Sequence, residues 1–235
     1  MTDSRKYNLE ELAIAMCPED PRRILPPVRE NHRSILDIGG GAGQTLIALD
    51  LGGRSPVVSV DLDFEALSLG KELSEGIDFV CARGESLPFK DHSFDMVICR
   101  VAIPYMHISK ALTEMGRVLR PGGLLWATLH TFQMTAGELL RHLVGFEIRG
   151  AIYRLYILIN GVALHYIGRQ FRWPFSQGRY ESCQSPKGIT RSLHSAGFTE
   201  IRIQKNSFFI VTAEKNYNNK LQDGFQPSIT RLDQT

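Results

Sequence analysis

Short, nearly continuous apolar runs alternating with amphipathic stretches dominate the middle of this chain. The runs at Ser34–Ile38, Val57–Asp61, Ile77–Val80, Phe94–Cys99 and Leu124–Leu129 have the length and composition of strands buried on both faces. From Ser109 to Leu119, Ala111, Leu112, Met115, Val118 and Leu119 recur at helical spacing, and Arg120-Pro121-Gly122-Gly123 ends the helix. A shorter helix is expected through Thr45–Leu51, and another near Ser185–Ala196. Two further apolar runs, Ile201–Ile203 and Phe208–Thr212, predict a closing antiparallel pair. Such alternation predicts an α/β fold, a doubly wound and mostly parallel sheet of seven strands.

The same pattern divides the chain. Residues 1–33 read as an N-terminal lead-in, with a helical candidate at Leu9–Met16 and then Pro18, Pro21, Pro26 and Pro27. Residues 34–130 form the core, and 186–213 complete it. Between them, at 131–185, the alternation stops and a helical insertion is expected. Residues 214–235 are rich in Asn, Gln, Asp and Lys without periodicity, and are expected to form a mobile tail.

Composition narrows the class without naming a function. Hydrophobic residues make up 43% and charged residues 22% of the chain, ordinary values for a globular protein. The formal net charge is only +2, so no chain-wide field draws in nucleic acid. The excess is local: residues 131–190 hold seven basic and three acidic side chains. Cys17, Cys81, Cys99 and Cys183 are scattered, with no histidines at metal-ligand spacing, so no metal is expected. Reduced cysteines, and a polar start (Met-Thr-Asp-Ser-Arg-Lys) without an apolar leader, predict a cytoplasmic protein.

The chemistry concentrates in Asp37-Ile38-Gly39-Gly40-Gly41-Ala42-Gly43, where a buried strand runs into glycines and then a helix. Glycine permits a tight turn and close approach of backbone to a ligand. A dinucleotide fingerprint fails, because the sixth position is Gln44 counting from Gly39 and Leu46 counting from Gly41. No Gly-Lys-Ser or Gly-Lys-Thr follows, which excludes a P-loop. Asp61 ends the next strand, eighteen residues past Gly43, where a carboxylate can accept both hydroxyls of a ribose.

With two more segments, Leu87-Pro88-Phe89-Lys90-Asp91-His92-Ser93-Phe94-Asp95 and Glu114-Met115-Gly116-Arg117-Val118-Leu119-Arg120-Pro121-Gly122-Gly123, residues 34–130 resemble the core of the class I S-adenosylmethionine-dependent methyltransferases. The small-molecule type that includes quinone and sterol methylating enzymes is the nearest in pattern. The resemblance implies a Rossmann-like fold and S-adenosylmethionine as cofactor. Gly39, Gly40, Gly41 and Gly43 would pass beneath it, with Asp61 on the ribose and Leu62 on the adenine. Asp37 would either fix the loop or touch the methionine end. Gly84, Glu85 and Arg100 complete the implied cofactor set. The sequence departs from the family at Gly40, usually Cys or Ser, and at Arg83, near a usually acidic position that receives the adenine amine.

Ligands of an open parallel sheet lie beyond the carboxyl ends of its strands, which makes Tyr105, His107 and His130 the candidates for the substrate side, with Arg100 beside them. His107 also suits a cap of the Ser109 helix. The insertion carries an almost wholly apolar stretch, Gly150–Gly168, in which a central Arg and Asn argue against a membrane span. It reads first as a lid helix packed on the core. The second reading is a helix lying on a membrane or lipid tail, with Arg149, Arg169, Arg172 and Trp173 near its ends and peripheral contact through 150–175. The expected reaction is O- or C-methylation of a small, substantially apolar, lipid-like acceptor. A nucleic-acid methyltransferase and a cofactor-binding protein without transfer activity are the alternatives. The first lacks Asn-Pro-Pro-Tyr after the fourth strand, where Cys99-Arg100-Val101-Ala102 stands.

Overall fold

The computed structural model describes residues 2–175, 180–205 and 207–217. Among the described residues seven strands form one sheet: β1 (Ile35–Ile38), β2 (Val57–Asp61), β3 (Asp78–Cys81), β4 (Phe94–Arg100), β5 (Leu119–Leu129), β6 (Phe198–Lys205) and β7 (Phe209–Lys215). Their order is β3-β2-β1-β4-β5-β7-β6. The first five are parallel neighbours, and β7 runs antiparallel to both β5 and β6. Among the described residues the α-helices are α1 (Asp3–Met16), which precedes the sheet, and α2 (Gln44–Leu49), α3 (Phe64–Leu73), α4 (Ile108–Val118), α5 (Phe132–Val144), α6 (Ile148–Ile167) and α7 (Pro186–Ser195), which lie between its strands. The doubly wound sheet and closing antiparallel pair are those expected from the pattern.

The strands are apolar throughout because successive side chains enter different cores. On one face Leu36, Ile38, Val97 and Ala127 pack with Leu112 and Met115 of α4 and Leu193 of α7. On the other, Ile35, Val57, Met96, Ile98 and Trp126 pack with Leu46 of α2. The order reverses direction beside β1 and β4, so the carboxyl ends of these strands open a crevice between helices leaving in opposite directions.

Two motif segments of the sequence turn out to be structural latches. Arg117 on α4 donates to Glu114 at 2.7 Å, to Asp91 at 2.9 Å and to the carbonyls of Phe89 and Leu87 at 2.7 and 3.0 Å. Glu114 in turn accepts from the Leu87 amide at 2.8 Å, so one ion pair pins the whole 87–91 loop. Arg120 donates to Asp95 at 2.6 Å and to Ser34 Oγ at 2.9 Å, while Asp95 accepts from the Arg33 and Ser34 amides. The start of β1 is thereby fixed to β4.

Several boundaries move. The lead-in contains a 14-residue helix, α1, starting six residues before the expected Leu9 and capped by Thr2. The insertion holds two helices where one was expected, α5 and α6. The expected tail begins too early, since β7 pairs through Lys215; its remainder, 218–235, lies outside the described residues.

Arg117→Ala should destabilise the fold by about 2–3 kcal/mol, the scale of losing charge-assisted hydrogen bonds that leave Glu114 unpaired. Lysine at 117 should recover less than half of this, having no planar fork. Urea unfolding of the three proteins measures both.

Candidate active site

The crevice is floored by the β1–α2 turn. Gly39, Gly41 and Gly43 have φ of 73°, 53° and 76°, and Gly39 is also pressed against its neighbour: a Cβ there would lie 2.3 Å from Ala102 Cβ. At Gly40 a Cβ would meet Ser59 Oγ at 2.5 Å and Asp37 Oδ2 at 2.9 Å. The departure from Cys or Ser at this position therefore has a spatial cause, because Ser59 on the neighbouring strand occupies the room.

Asp61, at the end of β2, accepts from the Gly41 amide at 2.8 Å through Oδ2 and from the Asp63 amide at 2.9 Å through Oδ1. Each oxygen retains capacity for a second donor. Asp61 borders both lobes of the crevice, of about 400 and about 510 Å³; each falls in the size range of small-molecule sites, roughly 300–1,000 Å³. Tyr7, Gly39, Arg100 and Val101 also line both lobes. The larger lobe adds Leu62, Arg83, Gly84, Glu85, Tyr105 and Met106. The smaller adds Asn8, Glu11, Gly41, Gln44 and Thr128.

The remaining expected residues are not on the cavity wall. Gly40 and Gly43 lie buried beneath the turn. Asp37 is fully buried, and neither of its carboxylate oxygens, nor Ser59 Oγ opposite it on β2, has a hydrogen-bond partner. The loop-fixing hydrogen bond expected as one role of Asp37 is not formed, and Asp37 does not line either lobe. Burial raises its pKa to about 7, against the opposing pull of the Arg100 guanidinium. His107 caps α4, its Nδ1 accepting from the Lys110 amide at 3.4 Å, and its ring packs edge-on against Tyr180 at 4.9 Å; it is absent from both lobes. His130 also lies off the lobes, but its ring sits edge-on to Tyr105, 5.5 Å between centroids. Burial lowers the His130 pKa and raises that of Tyr105, so both are neutral near pH 7. Glu85 accepts from the His107 amide at 3.0 Å, and Arg83 stands exposed at the rim.

What the sequence missed is the first six residues of α1 and the part the helix plays at the site. Its buried Asn8 accepts from the Ala42 amide at 3.1 Å and from Gln44 Nε2 at 2.7 Å, bracing the glycine turn from outside. Glu11 forms an ion pair with Arg100 at 2.8 Å, and Arg5 pairs with Glu72 of α3 at 2.7 Å. The helix thus roofs the smaller lobe through polar residues, and a search for an apolar face could not show that role. Thr2, an N-cap residue type, was the signal available for its first turns. Val101 was missed as well: it is β-branched with φ of 61°, a costly conformation, held by its amide donating to Thr128 Oγ1 at 3.0 Å.

Known proteins supply the context. Residues 36–127 match the family described as a methyltransferase domain. The chain is 38% identical over 108 residues to the ubiquinone/menaquinone biosynthesis C-methyltransferase of Bartonella tribocorum, covering 42% of this chain and 42% of that one. It is 36% identical over 108 residues to the enzyme of the same name in Brucella canis, covering 40% of it. The matched region therefore spans less than half the length of these relatives. A solved S-adenosylmethionine-dependent methyltransferase from Methanosarcina mazei superposes with a TM-score of 0.55 at 21% identity, over 80% of this chain and 94% of that one. The cyclase SpnF superposes with a TM-score of 0.55 at 18% identity, over 92% of this chain and 85% of that one. At these identities the superpositions show the fold alone.

Because the buried Asp37 carboxyl binds its proton more tightly folded than unfolded, its contribution to stability should be full below about pH 4 and be lost as pH rises to about 7. The full effect is of order 4 kcal/mol. Asp37→Asn should flatten that slope relative to the parent chain in urea unfolding measured at a series of pH values.

Proposed function

We propose, from the match of residues 36–127 to the methyltransferase domain family, that the chain transfers a methyl group from S-adenosylmethionine to a small, substantially apolar acceptor by O- or C-methylation. The observation that carries the reading is the Asp61 carboxylate, which braces the glycine turn through Gly41 and faces both lobes of the crevice.

The donor set fits an adenosyl group. Asp61 has free lone pairs for ribose hydroxyls, Gly39 and Gly41 present bare backbone, and Leu62, Val60, Ala82 and Ile38 make the larger lobe apolar enough for a flat ring. Gly84 keeps this lobe open, since a Cβ there would lie 2.7 Å from Met106 Sδ. With Arg83 exposed at the rim, Glu85 is the carboxylate best placed to receive the adenine amine. The bound cofactor would supply an electrophilic methyl with its leaving group already attached.

The chain's own contribution is mainly alignment, worth about 7–11 kcal/mol when geometry is right. A general base adds roughly 10²–10⁴-fold. For that role the Tyr105–His130 pair is the best placed, since a neutral imidazole can accept a proton from a hydroxyl or ring carbon acid. His107 and Arg100 act in positioning, one as a helix cap and the other through Glu11. The names of the relatives point to quinone precursors as the first acceptors to test. The free cysteines support a cytoplasmic location.

Calorimetric titration with S-adenosylmethionine should give saturable binding, weakened about 10–100-fold by Asp61→Ala, the loss expected for hydrogen bonds to a charged group. Absence of binding to the parent chain overturns the reading. With methyl-labelled cofactor and demethylated benzoquinols or naphthoquinols, His130→Ala should reduce label transfer at least about tenfold while leaving cofactor affinity unchanged.

A further inference from the structure

The outer face of α6 is apolar along its whole length. Ile148, Ile152, Leu155, Ile159, Val162 and Tyr166 follow at intervals of four, three, four, three and four residues, and each is between 47% and 72% exposed. On an α-helix this spacing draws one continuous stripe about 27 Å long. The opposite face, with Ala151, Ile157, Gly161 and Leu164, is already buried against the rest of the protein, so the outer stripe is not needed to hold the helix in place. The turn before α6 extends the same surface with Phe146, 90% exposed. Phe171 and Phe175, in the segment that follows the helix, are exposed as well. Apolar surface of this extent and continuity marks an interaction site.

The charge around the stripe selects the occupant. The three carboxylates of the insertion are engaged: Glu138 with Arg154 at 3.0 Å and Arg141 at 3.7 Å, Glu147 with His142 at 2.6 Å, and Glu181 with Arg154 at 3.6 Å. Arg149 and Arg169, both exposed at the two ends of the helix, have no carboxylate partner among the described residues. Arg172 stands over the Tyr180 ring at 5.6 Å. The rim is therefore cationic. A second copy of this face would bring like charges together, whereas an anionic lipid surface neutralises them while its acyl region takes the isoleucines.

We infer that the α5–α6 hairpin docks on an anionic lipid surface, with α6 lying in the plane of the interface. Among the described residues no helix is long and apolar enough to cross a membrane, and the buried Asn160 on the inner face, which donates to the Phe171 and Glu181 carbonyls at 2.9 Å, ties α6 to the protein. The arginines at both ends would sit at headgroup level with the aromatic rings beside them. This inference needs only the surface of α6 and goes beyond methyl transfer, so it stands or falls separately from that reading.

The full chain should sediment with vesicles of mixed phosphatidylglycerol and phosphatidylcholine, and much less with phosphatidylcholine alone. The double variant I152E/I159E should lower the partition coefficient at least about tenfold with an unchanged circular dichroism spectrum and unchanged cofactor titration. R169Q, which removes no apolar contact, should lower it about fivefold, an effect that fades as salt is raised. The inference is overturned if the parent chain does not sediment with anionic vesicles, or if I152E/I159E sediments as well as the parent. It is overturned in favour of self-association if the chain is a dimer by ultracentrifugation, the double variant is a monomer, and neither binds vesicles.

Discussion

The close approach of backbone to its surroundings at the end of β1 is the constraint on which the crevice depends. Gly39 lies against Ala102 from the loop after β4, Gly40 against Ser59 from β2, and a Cβ at Gly41 would lie 2.5 Å from Asn8 Oδ1 of α1. Three separate elements converge on one turn, and only residues without side chains let all three reach it. Because the turn is held so close, its amides become addressable: Ala42 by Asn8 and Gly41 by Asp61. Bulk at any of these glycines would move Asp61, the roof helix or the β4 loop, and with them the shape of both lobes.

Charge organises what the close packing leaves. Asp37 is buried without a partner beneath the turn, while Asp61 stands in the crevice and Arg100 is drawn toward α1 by Glu11. A lone carboxylate in such surroundings is costly when ionised, and Asp37 meets that cost by holding its proton to about pH 7. Arg100 joins the N-terminal helix to the end of β4, one residue before the strained Val101. The site is thus assembled by side chains from opposite ends of the matched domain and from a helix that precedes it.

The insertion resolves an ambiguity of composition. A stretch apolar nearly all round can be a buried helix, a membrane span or a surface helix with two apolar faces. In the fold, α6 takes the third form, with Ala151, Ile157, Asn160, Gly161 and Leu164 turned inward and a second row of branched aliphatics turned outward. Gln170, just after it, accepts from the Ile108 amide at 2.8 Å and so helps cap α4. The insertion is therefore joined to the core near Tyr105 while its outer surface stays free.

Strands β1 to β5, the helix α4, the glycine turn, Asp61 and the closing antiparallel pair were legible in the order of residues, because burial on a repeating element leaves a period of two or 3.6 in the chain. The two motif segments at 87–95 and 114–123 were legible as a resemblance, though their Arg117 and Arg120 latches were not. Asn8, Glu11 and Val101 left no such trace: they act through single polar or strained contacts with residues dozens of positions away. The cap that His107 makes on α4 was legible from its place before Ser109, but its ring contact with Tyr180 was not, nor was the isolation of Asp37, which depends on Gly40 and Ser59 together. Periodicity records which face of an element is buried. Which polar atoms meet across elements is settled only when the sheet order brings the ends of β1, β2 and β4 under α1.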